Sequence, residues 1–199
     1  MDRMMELLIE EAKRELARRN MSDFVLFVDE RYRMNWHHRL LGEYLDKLAR
    51  KEIRRLMVFM PPRHGKSELV SRKFPAFLLG RNPDTSIISC SYSADLASRM
   101  NRDVQRLIDS EKYAELFPQS HLFGKNIRST AKGSFLRNSD IFEIVNHRGT
   151  YRSAGVGGRL CEVDRKLRYR QGGNGGQQAE ARLHGGARHG RGSLPVGHA

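Results

Sequence analysis

The stretch Met57-Val58-Phe59-Met60-Pro61-Pro62-Arg63-His64-Gly65-Lys66-Ser67 constrains the fold of this chain more than any other. An apolar run stops at two prolines, a tight loop follows, and Gly-Lys-Ser opens a segment of helical pattern. That is the layout of a phosphate-binding loop between a strand and a helix. The chemistry needs each part. Gly65 lets the backbone approach a phosphate closely. The amides of the first helical turn point at the anion, and the helix dipole favours it there. Lys66 is placed to reach β- and γ-phosphates, and the Ser67 hydroxyl to ligate Mg²⁺. The full G-x-x-x-x-G-K-[ST] pattern is not met, because Met60 stands where its first glycine belongs. The same residues also fit an ordinary strand, turn and helix.

The segments around the loop set the expected architecture. Ile53 to Met60 reads as the first core strand and Ser67 to Leu79 as the helix after the loop. Pro75 should kink that helix, and Gly80 is its natural stop, with Asn82-Pro83-Asp84 as the turn beyond. Ser86 to Tyr92 is a second apolar strand. Ser93 caps a helix from Ala94 to Asp109 with the stripe Leu96, Met100, Val104, Leu107 and Ile108. Arg99, Arg102 and Arg106 share another face, read as solvated or as a phosphate-tracking stripe. Strand, loop, helix, strand, helix predicts a parallel sheet covered by helices. Tyr113 to Phe117 is a short helical turn, residues 119 to 139 are loop-like, and two β segments flank the Asn146-His147-Arg148-Gly149 turn.

Upstream of the loop the pattern is helical. Residues 1 to about 20 carry Met5, Leu8, Ile9, Ala12 and Leu16 at helical spacing, as in a packing or solvent-bridging helix. Ser22 is a candidate cap for a short helix through Phe24 and Phe27. Asn35 caps a helix from Trp36 to Arg50 with Leu40, Leu41, Tyr44, Leu45 and Leu48 on one face. Trp36 is expected to staple this helix to the core, leaving His37 and His38 exposed. Adjacent histidines point to different helix faces and do not make a metal pair.

Composition bounds the partners. The 36 Lys and Arg against 23 Asp and Glu leave a formal charge of +13. That suits an anionic partner, nucleic acid first, or a solvated basic surface. Cys90 and Cys161 make neither a disulfide framework nor a zinc set. Cys90 lies in an apolar strand pattern and is expected to be a buried small hydrophobe. No apolar run approaches a membrane span, and the start, Met-Asp-Arg, shows no signal-peptide pattern.

Five motifs together resemble a known family. Trp36-His37-His38-Arg39-Leu40-Leu41, then Met60-Pro61-Pro62-Arg63-His64-Gly65-Lys66-Ser67-Glu68, then Ser91-Tyr92-Ser93-Ala94-Asp95-Leu96-Ala97 look like the large terminase subunit of tailed bacteriophages. Tyr113-Ala114-Glu115-Leu116-Phe117-Pro118 and the run from His147 through Arg152 to Gly155-Val156-Gly157-Gly158 are similar too. The resemblance covers about residues 20 to 158. The family's loop commonly carries Pro-Pro-Arg-His-Gly-Lys-Ser, so Met60 is no defect in that setting. It implies the N-terminal ATPase domain of a DNA-packaging motor, with ATP and Mg²⁺ as cofactors. Arg63, His64, Gly65, Lys66, Ser67 and Glu68 would form the nucleotide site, with Ser67 on Mg²⁺ and Arg63 as a charge stabiliser at the γ-phosphate. Trp36 would lie near the adenine. Double-stranded DNA, a small terminase subunit and the capsid portal are the implied partners of a ring-forming motor in the cytoplasm of the bacterial host.

The chain departs from the family after Gly158. There the family shows four apolar residues ending in acids, the second nucleotide motif. This chain has Arg159-Leu160-Cys161-Glu162-Val163-Asp164-Arg165 instead. From Arg159 on it holds glycine pairs and eight basic residues against three acidic ones, a net +5 of the +13. Such a segment reads as disordered. It is either an Arg/Gly-rich nucleic-acid arm or the product of a truncation or frameshift near codon 158.

The expected fold class is therefore α/β, an incomplete P-loop NTPase-type parallel sheet flanked by helices. Residues 1–52 form a helical segment, 53–158 a partial ATPase core and 159–199 a disordered basic tail. The expected function is nucleotide binding with impaired hydrolysis and without the family's nuclease domain. The rival readings are a non-catalytic nucleic-acid-binding protein acting through its basic tail and a small-molecule kinase. Against the kinase, no acceptor-site motif is present.

Overall fold

The computed structural model of the protein describes residues 3–124 and 135–155. Three helices come first. Helix α1 (Arg3–Arg19) is amphipathic, but the predicted stripe is not its buried face. Met5, Leu8, Ile9 and Leu16 are 43–59% exposed, and Ala17 is its one fully buried residue. The helix docks through its basic side instead, with Arg18 Nε donating to the Leu116 carbonyl at 3.1 Å and Arg14 3.7 Å from Glu115. Helix α2 (Met21–Val28) is not capped by Ser22. Its N-terminus is capped from another element: the Met21 N–H donates to Asp46 Oδ1 at 2.9 Å. Asp46 lies on α3 (Trp36–Ala49), which starts after Asn35 as predicted. Leu41 and Leu45 of its predicted stripe are buried, while Leu40 and Tyr44 stay more than 40% exposed.

The predicted strand from Ile53 to Met60 does not form. Leu56, Val58 and Met60 are half-buried, and Met57 and Phe59 are 78% and 87% exposed, so burial alternates with the period of a strand. No backbone hydrogen bond joins residues 54–60 to any other described residue, however. A strand is defined by its neighbour, and no described residue supplies one here.

The helix after the loop is present but changes character. Glu68–Lys73 is a π-helix, and α4 (Phe74–Arg81) follows it. Pro75 explains the change. It has no N–H, and in an α-helix its ring would meet the carbonyl four residues back. The preceding turns are widened, and the Phe74 N–H reaches Leu69 O, five residues back. Gly80 does not end this helix, which continues to Arg81. A Cβ there would stand 2.3 Å from the Phe117 ring, so the glycine serves close packing.

Strand β1 (Ser86–Ser91) and helix α5 (Ala94–Ile108) form as predicted, and Ser93 Oγ accepts from the Leu96 N–H at 3.2 Å. Helix α6 (Glu111–Leu116) is capped by Ser110, and β2 (Ile141–Glu143) and β3 (Thr150–Gly155) come after it in the chain. The sheet is mixed rather than parallel. Its order is β1-β3-β2, with β1 parallel to β3 and β2 antiparallel to it. The reversal comes from the tight turn at 146–149, where Asn146 takes φ +62° and the Ile144 N–H donates to Gly149 O at 3.0 Å. Phe142 and Tyr151, paired across the two strands, stack at 5.1 Å.

The core joins helices on both sides of the loop. Phe24 of α2 meets Phe77, Tyr113 and Phe117 with ring centroids 5.3–6.3 Å apart. The buried Tyr113 hydroxyl donates to Ala76 O at 3.0 Å and lies 3.0 Å from Ser120 Oγ, which ties α6 to α4. Cys90 is a further correction. It is exposed rather than buried, because the outward face of β1 (Ile88, Cys90, then Tyr92) has no described element against it. No described helix is long and apolar enough to cross a membrane.

Candidate nucleotide-binding loop

Residues 61–67 form a compact turn that runs into the first helical residues, Lys66 and Ser67. Two positions carry left-handed backbone, Arg63 at φ +63° and Gly65 at φ +79°. The sequence explains the second, since glycine enters that region without strain. His64 Nδ1 lies 2.8 Å from Pro62 O, and a carbonyl only accepts, so His64 donates from Nδ1 and closes the turn on itself. The Leu69 N–H donates to Gly65 O at 3.0 Å, the first bond of the following helix.

The side chains sort into two groups. Arg63 and Ser67 are exposed, Lys66 is half-buried, and none of the three has a protein partner among the described residues. Glu68, grouped with them from sequence, is committed elsewhere. It lies 2.6 Å from Arg72 and 3.7 Å from Lys73. Arg72 continues to Asp103 of α5 at 2.7 Å, and the buried Lys73 to Asp29 at 3.0 Å. This network lines a cleft of about 330 Å³ bounded also by Arg106 and Leu107. Arg72 and Lys73, both held by Glu68, thus fix the helix after the loop to α5 and to the end of α2.

Beneath the loop lies a floor that sequence reasoning missed. His38, expected to be exposed, is 7% exposed. Its Nε2 is 3.0 Å from His64 O, and its Nδ1 is 3.3 Å from the Asn35 backbone nitrogen. His37 and His38 do meet, with ring centroids 4.0 Å apart, and His37 lies 6.0 Å from His64. Burial, then the neighbouring imidazoles His38 and His64, hold His37 below the ordinary histidine range. Tyr32 packs on His38 at 5.3 Å, and burial with the charges of Glu68 and Asp29 pushes its phenol up to about 12. Among the described residues the Tyr32 hydroxyl is buried without a hydrogen-bond partner. Trp36 does not staple the helix. It is 77% exposed at the mouth of this cluster, edge-on to His37. The signal that could have found the floor is His38 three residues after the cap Asn35. That spacing lets a side chain reach back to the cap N–H, with histidine in the place usually held by Glu or Gln.

Other candidates separate from the loop. On α5, Arg99 pairs with Asp95 at 2.9 Å and Arg106 with Asp103 at 3.1 Å, so the arginine face is largely neutralised. Glu143 accepts from the Leu136 N–H at 3.1 Å and serves the local turn. Among the described residues no three His, Cys, Asp or Glu side chains converge on a metal-sized site. Val156-Gly157-Gly158, Cys161 and the tail predicted over residues 159–199 lie outside the described residues.

Residues 57–155 match the family described as terminase large subunit, T4likevirus-type, N-terminal. No curated protein and no solved structure matches the chain.

Proposed function

Because residues 57–155 match the T4likevirus-type terminase large-subunit N-terminal family, we propose that this chain is the nucleotide-binding part of a phage DNA-packaging terminase. The observation that supports ATP binding is the loop itself. Gly65 adopts the left-handed backbone that such a turn requires, and Lys66 at the first helical turn has no competing carboxylate among the described residues. Arg63 and Lys66 supply positive charge beside the amides of that turn, which suits a triphosphate. The exposed Ser67 hydroxyl, free of partners among the described residues, fits a Mg²⁺ ligand. When bound, the metal would neutralise charge on the β- and γ-phosphates. Double-stranded DNA, a small terminase subunit and the capsid portal are the partners this reading carries, with assembly as a ring in the host cytoplasm.

Calorimetry with ATP or a non-hydrolysable analogue and Mg²⁺ tests the loop. Lys66→Ala should lose about 1.5–3 kcal/mol, the size of a charge-assisted contact to phosphate. Equal affinity of the two proteins would end the assignment.

Hydrolysis is a separate question. After Gly158 the sequence lacks the family's run of four apolar residues before an acid, and Glu143 accepts from the Leu136 amide. Loss of a general base typically lowers rates about 10²–10⁴-fold. Phosphate release, with and without double-stranded DNA, should therefore be far below about one per second. Turnover near that rate, abolished by Lys66→Ala, would show that another acid activates the water. The basic segment 159–199 supports the alternative of a non-catalytic nucleic-acid binder, and deleting it would remove DNA binding only on that reading.

A further inference from the structure

We propose that His38 is the positioning residue of the phosphate loop, holding the loop backbone from α3 through one defined tautomer. The inference rests on the nucleotide reading of that loop. An amide N–H can only donate, so the contact from Asn35 N–H requires a bare Nδ1 on His38. The proton then sits on Nε2. A carbonyl can only accept, so Nε2–H donates to His64 O at 3.0 Å. Both ring nitrogens are thereby used in the neutral ring, one on the start of α3 and one on the loop.

The next loop residue is pressed against the same ring. A Cβ at Gly65 would stand 2.6 Å from His38 Nε2 and 3.0 Å from the Tyr32 hydroxyl. Gly65 is therefore required twice, by its φ of +79° and by the imidazole beneath it. Tyr32 and His37 pack on the ring at 5.3 and 4.0 Å and restrict its rotation.

The need for such a tie follows from the chain before the loop. In a strand–loop–helix unit the preceding strand anchors the loop through its ladder. Here residues 54–60 make no backbone hydrogen bond to any described residue. The loop is held by the helix after it and, at His64 and Gly65, by His38. The direction in which Lys66 and the first-turn amides point thus depends on a residue that touches no phosphate.

Two substitutions separate the halves of the ring. In His38→Gln the side-chain amide nitrogen reaches the place of Nε2 and keeps the donor to His64 O. In His38→Asn the carbonyl oxygen takes the place of Nδ1, keeps the contact to Asn35, and stops short of the loop. Two measurements are made on the full chain with His38→Ala alongside. One is exchange of the Leu69 amide in nucleotide-free protein, and the other is affinity for a fluorescent ATP analogue with Mg²⁺. His38→Gln should stay near wild type in both. His38→Asn and His38→Ala should speed Leu69 exchange and weaken nucleotide about 5–10-fold, the value of one neutral hydrogen bond. His38→Asn should nevertheless melt near the wild-type temperature. Wild-type exchange in His38→Asn, a His38→Gln variant as impaired as His38→Ala, or nucleotide bound with equal, measurable affinity by all four proteins would overturn the proposal. The expected exchange pattern in a wild type that binds no nucleotide would sustain the tie and reject the nucleotide reading.

Discussion

Asp46 shows how much one residue can do that its own segment does not reveal. In sequence it is one of several charged positions on a helix. In the fold it is 7% exposed and accepts the Met21 N–H, the first amide of α2. Burial raises its pKa, against the lowering effects of the Met21 amide and nearby arginines. A raised folded value means that its contribution is full below the ordinary carboxylate pKa and is lost as pH rises through the folded value. Asp46→Asn keeps the acceptor and removes the charge, so at neutral pH it should be as stable as wild type or more stable. The gap should close as pH falls toward about 4. Asp46→Ala removes the cap and should cost about 1 kcal/mol. Thermal melts of the three proteins between about pH 4 and pH 7.5 check both statements, and a pH-independent gap would refute the titration argument.

At the scale of elements, α5 shows where pattern reading works and where it stops. Ser93 and the periodicity place the helix correctly, and Val104 and Ile108 of the predicted stripe are buried. Two polar residues share that buried face. Gln105 Nε2 donates to Asn101 Oδ1 at 2.6 Å and to Asn138 O at 2.7 Å, while Asn101 donates to Ser153 Oγ of β3 at 3.3 Å. Arg137, 2% exposed, donates to Gln105 Oε1 at 3.0 Å, pairs with Asp109 and caps the Phe123 and Gly124 carbonyls. These bonds join α5 to the segment before β2 and to β3. Such networks are costly when half dismantled. Arg137→Met should lower stability by about 3 kcal/mol, because it leaves buried acceptors unmet. Gln105→Leu combined with Arg137→Met should cost less than the sum of the two changes. Denaturant titration measures it, and full additivity would show that the contacts are independent.

At the scale of the fold, several large apolar side chains of the described residues are left uncovered by any described element. Met57, Phe59, Ile88 and Tyr92 are 44–87% exposed, and Cys90 lies between two of them in sequence. An apolar surface of that kind favours association. The folded chain should react at Cys90 with a thiol reagent at the rate of a free thiol, with no need for unfolding. Cys90→Ser in a Cys161→Ser background should abolish that fast phase, and protection of Cys90 in a monodisperse sample would mean that this face is covered in solution.

Local signals settled much of this protein. Ser93 before α5, the apolar run of β1, the turn at 146–149 and the Gly65-Lys66-Ser67 tripeptide are each legible within a few residues, because caps, turns and helical periodicity depend on near neighbours. The family match over residues 57–155 agrees with the resemblance to the large terminase subunit. What only the tertiary structure decided depends on partners far along the chain. Ile53 to Met60 has the pattern of a strand, but no described residue supplies the second strand that would make it one. Cys90 has an apolar setting in sequence but no described element over its face. His38, an ordinary polar residue by position, becomes the floor of the loop because residues 64 and 65 fold back over it. A segment can carry its own periodicity, whereas pairing and burial are properties of two segments at once, and only the assembled chain brings the second one into place.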